Sequence, residues 1–318
     1  MDITASSAAL QRVRDTIGER VLGQEQVIDQ LLAAFVARGH VLLEGVPGTA
    51  KTLLSRVLSG ALDIRFGRVQ FTPDLMPSDV TGVSIYRDDS RSFEFRPGPI
   101  FTDILLADEI NRAPAKTQAA LLEAMQERQV TVDGTTHQLG DLFTVIATQN
   151  PVEYEGTYPL PEAQLDRFLV NLRVGYPPRH AELEMLAHSA DGFDAERAST
   201  FMPEPVLSAT DVSELRSASD TVKVAPELRE YITDIIRATR EDSALTLGAS
   251  PRASVALFRM TRAAAIVAGR DFAIPDDVKQ HVLPVLRHRV LLAPELQVEG
   301  RSTDDVLLVL LSRVTAPQ

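Results

Sequence analysis

The chain has 318 residues, of which 44% are hydrophobic and 24% are charged. This is the composition of a globular protein, and the length allows one large domain or two modest domains with a sizeable core. The formal net charge of −12 argues against a general nucleic-acid-binding protein, because such proteins normally present a basic face. The sequence contains no cysteine, which excludes disulfide bonds and thiolate metal sites.

Signals for export or membrane insertion are not found in the sequence. The first ten residues hold neither the basic region nor the apolar run of a secretory signal peptide. No apolar stretch approaches the roughly twenty residues that a helix needs to cross a bilayer. We therefore expect a cytoplasmic protein without a membrane span.

Two helices are predicted ahead of the first strand. Apolar residues recur at helical spacing from about Ala5 to Arg38. The pattern breaks at Val21-Leu22-Gly23-Gln24, which ends one helix and starts the next.

A glycine-rich turn follows the apolar strand candidate at Val41–Leu43 and leads into an amphipathic helix. This layout is typical of a phosphate-binding P-loop, in which backbone N–H groups point at phosphate oxygens and the helix N-terminus adds its positive dipole end. We expect Lys51 to reach the β- and γ-phosphates of a nucleotide and the Thr52 hydroxyl to bind Mg²⁺. The predicted loop comprises Gly45, Val46, Pro47, Gly48, Thr49, Ala50, Lys51 and Thr52.

One position of this loop departs from the general P-loop pattern. Ala50 stands where a glycine usually precedes the lysine. Alanine is tolerated there if the residue already has the negative φ of a helix, with the conformations open only to glycine at Gly45 and Gly48. We therefore predict a helical conformation for Ala50.

Apolar segments alternate with helical segments through the first half of the chain. This alternation predicts an α/β fold, with a parallel sheet and helices on both of its faces. The segment Ile104–Asn111 is apolar and then acidic, as expected for a buried parallel strand with carboxylates at its carboxyl end. The strand candidates are residues 41–43, 68–71, 104–107, 143–148 and 168–172.

Two β-hairpins interrupt this alternation. Residues 83–95 alternate between apolar and polar side chains on both sides of a polar turn at Arg87–Ser90. In residues 130–139, β-branched residues flank Asp133-Gly134, which is the strongest short hairpin signal in a sequence. We expect both hairpins to be inserts in the α/β region.

The sequence changes character at Gly175-Tyr176-Pro177-Pro178, where the double proline marks a domain boundary. Helical patterns dominate from there to Gln318, and no convincing buried strand is found. We therefore predict a P-loop nucleotide-binding core at residues 1–175 and an all-α domain at residues 176–318.

Three polar residues at predicted strand ends are candidates for ATPase chemistry. An ATPase needs a Mg²⁺ ligand, a residue that positions water and positive charge at the γ-phosphate. In an open α/β sheet these groups lie at the carboxyl ends of the strands. Asp108 fits the first role through the Mg²⁺ water shell, Glu109 fits the second, and the Asn150 amide is placed to bind the γ-phosphate or the water. The alternatives are solvated or helix-capping carboxylates and an Asn-Pro turn.

Four segments of the sequence closely resemble the MoxR family of AAA+ ATPases, which belongs to the magnesium-chelatase-like branch. They are GVPGTAKT at residues 45–52, ADEINRAP at 107–114, ATQNP at 147–151 and EGTYPLPEAQLDRF at 155–168. Ala50 is usual in that family, and the last segment is highly specific for it. The resemblance covers nearly the whole chain and implies an AAA+ core followed by a helical lid domain.

The resemblance also implies roles that spacing alone does not supply. Arg167 matches the arginine finger, which reaches the γ-phosphate held by a neighbouring subunit, and Arg252 matches the sensor-2 arginine of the lid. Asn150 matches sensor 1, and Val21 and Leu22 match the segment that packs beside adenine. The hairpins match the helix-2 insert and the pre-sensor-1 hairpin, which line or face the pore in related rings. It stays open whether Arg252 acts in its own subunit or across an interface.

A member of this family is expected to hydrolyse ATP with Mg²⁺, to assemble as a hexameric ring and to remodel, mature or activate a client protein complex. Family analogy also implies a partner with a von Willebrand factor A domain. The sequence holds no such domain, so we expect the partner to be a separate polypeptide.

Two other functions are compatible with the same loop. One is a nucleotide-gated assembly or binding module with slow hydrolysis, although Glu109 together with Arg167 favours hydrolysis. The other is a nucleic-acid-associated AAA+ motor, which the net charge of −12 disfavours. A small-molecule kinase has no use for the helical lid or the two hairpins.

Overall fold

A computed structural model of the chain describes residues 3–89, 91–151, 157–192 and 203–317. Within these residues the strands are β1 (Val41–Glu44), β2 (Phe66–Gln70), β3 (Gly82–Arg87), β4 (Ser92–Pro97), β5 (Ile104–Asp108), β6 (Gln129–Val132), β7 (Thr135–Gln138), β8 (Thr144–Gln149), β9 (Val170–Arg173), β10 (Leu245–Leu247) and β11 (Leu291–Leu292). The helices are α1 (Ile3–Gly18), α2 (Glu25–Val36), α3 (Lys51–Ala61), α4 (Pro77–Thr81), α5 (Ala115–Glu127), α6 (Glu162–Leu165), α7 (Arg179–Ala190), α8 (Ala209–Ser219), α9 (Pro226–Glu241), α10 (Pro251–Val267), α11 (Pro275–Leu286), α12 (Pro294–Val298) and α13 (Thr303–Arg313).

The central sheet is parallel and has the strand order β2-β5-β8-β1-β9. Strand β5 is buried along its whole length, as expected for a strand covered by helices on both faces. Alternate residues of β1 enter two different hydrophobic clusters, with Val41 and Leu43 on one face and Leu42 on the other. The predicted α/β fold class is confirmed.

Because all five strands run in the same direction, the sheet has a carboxyl edge, where the strands end, and an amino edge, where they begin. The P-loop follows β1 at the carboxyl edge, and Asp108 ends β5 at the same edge. The segment that precedes β9 lies at the amino edge, where the Leu169 N–H donates to the His40 carbonyl (2.8 Å). Residues that follow one strand and residues that precede its neighbour are therefore separated by the length of the strands.

Both predicted hairpins are present, as the antiparallel pairs β3–β4 and β6–β7. Asp133 (φ 49°) and Gly134 (φ 78°) are both left-handed, which is the conformation that a two-residue type I′ turn requires. The rings of Phe95 and His137 stack with their centroids 3.8 Å apart. The two hairpins therefore contact each other.

Helices form most of the described chain after residue 178, as predicted. The expectation that this region holds no buried strand was wrong, because β10 pairs with β11 and the paired Leu245 and Leu292 are buried. Strands of 3 and 2 residues are too short to show a period-two pattern. The boundary at residue 175 stays a prediction, and one hydrophobic cluster joins α1 and α2 to α10 across it.

None of the described helices is long and apolar enough to span a membrane.

Candidate nucleotide site

The P-loop residues lie at the carboxyl edge, directly after β1. The Gly45 N–H donates to the Gln149 carbonyl (3.3 Å) at the end of β8, and a Cβ on Gly45 would lie 2.4 Å from the Val174 carbonyl oxygen. Only glycine allows such a close approach of two backbone segments. Gly48 is required for a different reason, since its φ of +82° lies in the left-handed region.

Ala50 does not have the helical conformation that we predicted from the sequence. Its φ is 61° and its ψ is 19°, so it is left-handed, and α3 begins at the next residue, Lys51. Gly45, by contrast, does not have a positive φ. An L-residue in the left-handed conformation costs roughly 1–2 kcal/mol, because its Cβ approaches the following carbonyl oxygen. The strained conformation therefore occurs where the general P-loop pattern has glycine.

The Lys51 side chain folds back over the loop. Its Nζ donates to the carbonyl oxygens of Gly45 (2.7 Å) and Val46 (2.8 Å), and the Thr49 hydroxyl also donates to Val46 (2.9 Å). The ammonium group therefore lies where a P-loop binds phosphate. Phosphate oxygens are stronger acceptors than neutral carbonyls, so we expect a bound nucleotide to draw Nζ toward itself.

Asp108 is the centre of a hydrogen-bond network at the end of β5. Its Oδ1 accepts from the Thr148 hydroxyl (2.7 Å), and its Oδ2 accepts from Arg68 Nη2 (2.7 Å) and from the Thr52 hydroxyl (3.4 Å). Asp108 is buried, and the Arg68 guanidinium on the adjacent strand offsets its charge. Thr52 and Asp108, the two predicted metal ligands, are thus brought together.

Glu109 follows β5 with a φ of 55°, a left-handed conformation that ends the strand. Its N–H donates to the Thr148 hydroxyl (2.8 Å). Its Oε2 accepts from Gln70 Nε2 (2.7 Å) and from Arg112 Nη1 (3.1 Å). Strained backbone persists where surrounding contacts hold it, and Thr148 supplies such a contact by bonding both acidic residues. The carboxylate of Glu109 is thus fixed by two donors and still partly exposed.

The sequence prediction missed Arg68, Gln70 and Thr148. All three lie on the strands that flank β5, and Gln70 pairs directly with Asp108 in the β2–β5 register. Their polarity near the ends of predicted strands was the available signal. The signal was insufficient by itself, because only the strand order shows which strand ends meet.

Asn150 and the predicted adenine-side segment also lie at the carboxyl edge. Asn150 directly follows β8 and is buried. Gln24 Nε2 donates to the Gly175 carbonyl (2.9 Å), just beyond the end of β9. This bond holds the segment of Val21 and Leu22 against the carboxyl edge, with Val21 buried and Leu22 partly exposed.

The oxygen atoms of Thr52 and Asp108 suit Mg²⁺. Hydroxyl and carboxylate oxygens are the hard ligands that this ion prefers, and Mg²⁺ usually keeps several of its waters. The 3.4 Å between Thr52 Oγ1 and Asp108 Oδ2 allows both to face one hydrated ion. Because Arg68 already bonds Oδ2, an ion here either contacts Asp108 through water or displaces the guanidinium.

Arg167 lies at the amino edge, away from the P-loop of its own chain. Its Nε donates to Gln126 Oε1 (3.0 Å) in the last turn of α5, and it precedes Leu169, which bonds His40 ahead of β1. The P-loop follows β1 at the other end. A strand rise of about 3.3 Å per residue puts about 13 Å of β1 between these two levels.

Arg252 lies beside the same amino-edge segment. Its Nη1 is 3.9 Å from Asp166 Oδ2, and its side chain is 80% exposed. Arg289 holds Asp166 in place, because its Nε donates to Asp166 Oδ1 (2.6 Å) and its Nη2 donates to the Phe168 carbonyl (2.7 Å). Burial lowers the pKa of Arg289, and the hydrogen bond to Asp166 opposes that change.

The predicted site residues thus fall into two groups. Lys51, Thr52, Asp108, Glu109 and Asn150 share the carboxyl edge, whereas the two predicted arginines share the amino edge. Residues 152–156, which include the first two residues of the segment 155–168, lie outside the described residues.

Comparisons with known proteins show which family the chain resembles. Residues 40–170 match the family described as ATPase family associated with various cellular activities (AAA), and residues 237–308 match an AAA lid domain. The chain is 48% identical to an uncharacterized Bacillus subtilis protein, YeaC, over 97% of this chain and 95% of the relative. It is 40% identical to Chaperone MoxR1 of Mycobacterium tuberculosis, over 99% of this chain and 84% of the relative.

Two further comparisons extend the match. The chain is 32% identical to Protein MoxR of Paracoccus denitrificans, over 86% of each chain. A crystal structure of a Cytophaga hutchinsonii protein assigned as an ATPase superposes with a TM-score of 0.90 at 40% identity. That superposition covers 99% of this chain and 97% of the other.

Proposed function

The chain belongs to the MoxR family of AAA+ ATPases, and we propose that it hydrolyses ATP at sites that neighbouring subunits of a ring complete. The ring would use this hydrolysis to remodel a client protein complex. One observation carries the proposal: Arg167 and Arg252 lie at the amino edge, a strand length away from Lys51.

In a ring, these two arginines would face the nucleotide bound by a neighbouring subunit. Heterologous contacts between identical subunits close into a ring when the rotation permits, and they set one face of a subunit against a different face of the next. The amino edge of one subunit would then supply positive charge to the γ-phosphate bound by its neighbour. An arginine in this role is worth on the order of a thousandfold or more in turnover. Six subunits, as the family implies, is the expected closure.

Within one site, the residues at the carboxyl edge would divide the chemistry. Glu109 would accept a hydrogen bond from the attacking water and orient it in line with the γ-phosphate. Gln70 and Arg112 hold its carboxylate for that task. Lys51 and Asn150 would stabilise the charge that develops on the transferred phosphoryl group.

Dependence on Mg²⁺ is part of the proposal. Thr52 and Asp108 would hold the ion, which supplies positive charge that offsets the charge of the phosphates when it is bound. Chelation is expected to abolish turnover without unfolding the protein, because Asp108 already bonds Arg68 and Thr148. Circular dichroism and ATP turnover, measured on the same sample in EDTA, distinguish loss of activity from unfolding.

We propose that the client contacts the hairpin β3–β4. Tyr86 and Phe93 of this hairpin are 51% and 74% exposed, and their rings meet edge to face with centroids 5.4 Å apart. Exposed aromatic side chains of this kind are frequent at protein contact surfaces. One relative is named a chaperone, which supports a protein client. By family analogy, a separate protein with a von Willebrand factor A domain is the proposed partner.

ATP turnover per subunit as a function of protein concentration, at saturating Mg²⁺, tests the shared site. We expect the specific activity to rise with concentration in parallel with assembly, followed by mass photometry on the same samples. Activity that stays constant down to concentrations where only monomers remain would refute the ring mechanism and leave a self-contained ATPase.

Mixing two inactive variants sharpens this test. Lys51→Ala removes phosphate binding and keeps both arginines, whereas Arg167→Ala keeps the P-loop and removes the finger. In an equal random mixture, about one interface in four unites an intact loop with an intact finger, so activity should return. A mixture no more active than its separate components would show that Arg167 does not act across an interface.

A further inference from the structure

Four arginines converge at the amino edge of the sheet, away from the P-loop of the same chain. Arg216 is buried, its Nε donates to the Phe35 carbonyl (3.2 Å), and its Cζ lies 4.5 Å from the centre of the Phe35 ring. Its Nη1 donates to the Asp141 carbonyl (3.0 Å), and Arg128 Nη1 donates to the same oxygen (3.2 Å). The guanidinium groups of Arg128 and Arg216 are therefore neighbours that share one acceptor.

The other two arginines lie at the C-terminal end of α2. Arg259 on α10 donates to the Ala37 carbonyl, and Arg38, the next residue, forms an ion pair with Asp220 (2.8 Å). Since Arg216 bonds Phe35, Arg38, Arg216 and Arg259 share a single turn of chain, and Arg128 joins them through the carbonyl that it shares with Arg216. Arg38, Arg128, Arg216 and Arg259 form what we call the arginine cluster.

Three members of the arginine cluster reach solvent. Arg38 and Arg128 are partly exposed and Arg259 is exposed, whereas Arg216 is buried beneath them. A ligand that approaches this face meets three guanidinium groups with a fourth behind them.

The positive charge of the cluster is not balanced by carboxylates. The carboxylates that act on its members are Asp103, Asp141 and Asp220. Asp103 also pairs with Arg65 (3.0 Å), and Asp220 lies 3.9 Å from Arg262. Two of these three aspartates are therefore shared with arginines outside the cluster.

The partial negative charge at two helix C-termini offsets part of the positive charge of the cluster. Arg216 and Arg259 bond carbonyls at the end of α2, and Arg128 caps α5. A helix C-terminus carries only about half a negative charge, so two helix ends leave the cluster positive. Burial, with the positive charges of Arg128, Arg38 and Arg259, lowers the pKa of Arg216 to about 9, so Arg216 stays charged at neutral pH.

We propose that the arginine cluster binds a carboxylate-rich segment of a protein partner. Guanidinium groups bind carboxylates through two parallel hydrogen bonds, and they keep donors available beyond those used on backbone carbonyls. The proposal concerns a face remote from the P-loop of its own subunit, and binding of a peptide there can be measured without ATP turnover.

The size of the cluster and the charge of the chain favour protein over nucleic acid as the ligand. Sites for nucleic acid commonly contact about six to ten phosphates along a basic face. This cluster comprises four arginines, and the chain as a whole has a net charge of −12. A short run of acidic side chains matches such a local positive patch.

Fluorescence anisotropy of a labelled glutamate decapeptide at low ionic strength tests the proposal. We expect the wild-type protein to bind the probe and the double variant Arg38→Gln/Arg128→Gln to bind it at least about tenfold more weakly. The matched control is Arg229→Gln/Arg237→Gln, which removes the same charge from the exposed face of α9 and should bind like the wild type. Both double variants should keep the circular dichroism spectrum of the wild type, which confirms that they fold.

Two outcomes would overturn the proposal. Equal loss of peptide binding in the two double variants would mean that overall charge, not the cluster, attracts the probe. Tighter binding of an oligonucleotide or of pyrophosphate than of the peptide, weakened by the same Arg38 and Arg128 substitutions, would make the cluster a phosphate site.

Discussion

The Arg252 guanidinium lies 3.9 Å from Asp166, the carboxylate that also anchors the buried Arg289. Asp166 directly precedes Arg167, so the lid arginine and the proposed finger arginine converge on one short segment ahead of β9. Lys51 lies beyond the other end of β1, at the carboxyl edge. Two arginines from distant parts of the chain thus lie beside one segment, which the proposed ring would set against a nucleotide held by another subunit.

The first prediction is that Arg252 acts across the interface together with Arg167. An equal mixture of Arg252→Ala and Lys51→Ala should then regain ATP turnover, because the Lys51→Ala subunit supplies an intact Arg252 to its neighbour. A mixture of Arg252→Ala and Arg167→Ala should stay inactive, because neither subunit presents both arginines. If the second mixture regained activity and the first did not, Arg252 would act within its own subunit.

The positions of these arginines could not be predicted from the sequence. Lys51, Asp108, Glu109 and Asn150 each follow or end a strand of a parallel sheet, and the carboxyl ends of such strands meet at one edge. Arg252 instead depends on how α10 and the chain after α11 dock on the segment before β9, through long-range contacts such as that of Arg289. Local periodicity carries no information about that docking.

The contacts of Glu109 could not be predicted from the sequence either. The sequence places Gln70 at the end of a strand. It does not show which strand lies beside that one, because the order β2-β5-β8 is a property of the whole sheet. Ala50 was assigned the wrong conformation for a related reason. Its helical neighbours suggested a negative φ, whereas the turn that joins β1 to α3 imposes a positive one.

The second prediction is that Asp166→Asn destabilises the fold as well as the active site. The side chains of Arg289 and Asp166 are 4% and 20% exposed. Removing one partner of a fully buried ion pair costs about 3–5 kcal/mol, and the partial exposure of Asp166 reduces this to about 1–3 kcal/mol. Urea denaturation measures the free energy of unfolding.

The control for Asp166→Asn is Arg252→Ala, whose side chain is 80% exposed. It should change the free energy of unfolding by less than about 0.5 kcal/mol while still lowering turnover. If Asp166→Asn were as stable as the wild type, Asp166 would not be the anchor of this segment.

The third prediction concerns Glu109→Gln. Its amide oxygen can still accept from Gln70 and Arg112, but it is a far weaker base toward water. We expect ATP affinity near that of the wild type and turnover at least about a hundredfold lower. Glu123→Gln, on the exposed face of α5, removes the same charge and should leave both unchanged. Wild-type turnover in Glu109→Gln would show that Glu109 does not orient the water.

The fourth prediction is that Ala50→Gly stabilises the protein. The left-handed conformation of Ala50 costs roughly 1–2 kcal/mol, which glycine avoids. Glycine loses about 0.4–1 kcal/mol through the greater freedom of the unfolded chain, so the net gain should lie between about 0 and 1.6 kcal/mol. In Ala119→Gly, within the exposed face of α5, the same change should instead cost about 1 kcal/mol. Equal destabilisation of the two variants in urea would mean that Ala50 is not strained.

The fifth prediction is that His40 makes the folded state sensitive to acid. The Val145 N–H donates to its Nδ1 (2.9 Å), and its Nε2 donates to the Met125 carbonyl (3.1 Å), so the buried ring is neutral. Burial, with a smaller effect of the positive charges on Arg128 and nearby arginines, lowers the pKa of His40 to about 3. In the unfolded chain its pKa is about 6.5.

The sign of the effect follows from these two values. Between about pH 6.5 and pH 3 the unfolded chain binds a proton that folded His40 does not, so the free energy of unfolding falls as the pH falls. The slope from His40 is at most about 1.4 kcal/mol per pH unit. Burial also lowers the pKa values of His281 and His288, so the wild-type slope includes their contributions.

Urea denaturation of His40→Gln at several pH values isolates the contribution of His40. Glutamine keeps a donor and an acceptor but does not titrate, so the variant should be less stable at neutral pH and lose less stability on acidification. His180→Gln, at an exposed position in α7, should retain the wild-type slope. A slope in His40→Gln as steep as that of the wild type would mean that folded His40 takes up its proton as readily as the unfolded chain does. The neutral ring between Val145 and Met125 would then be the wrong description of this contact.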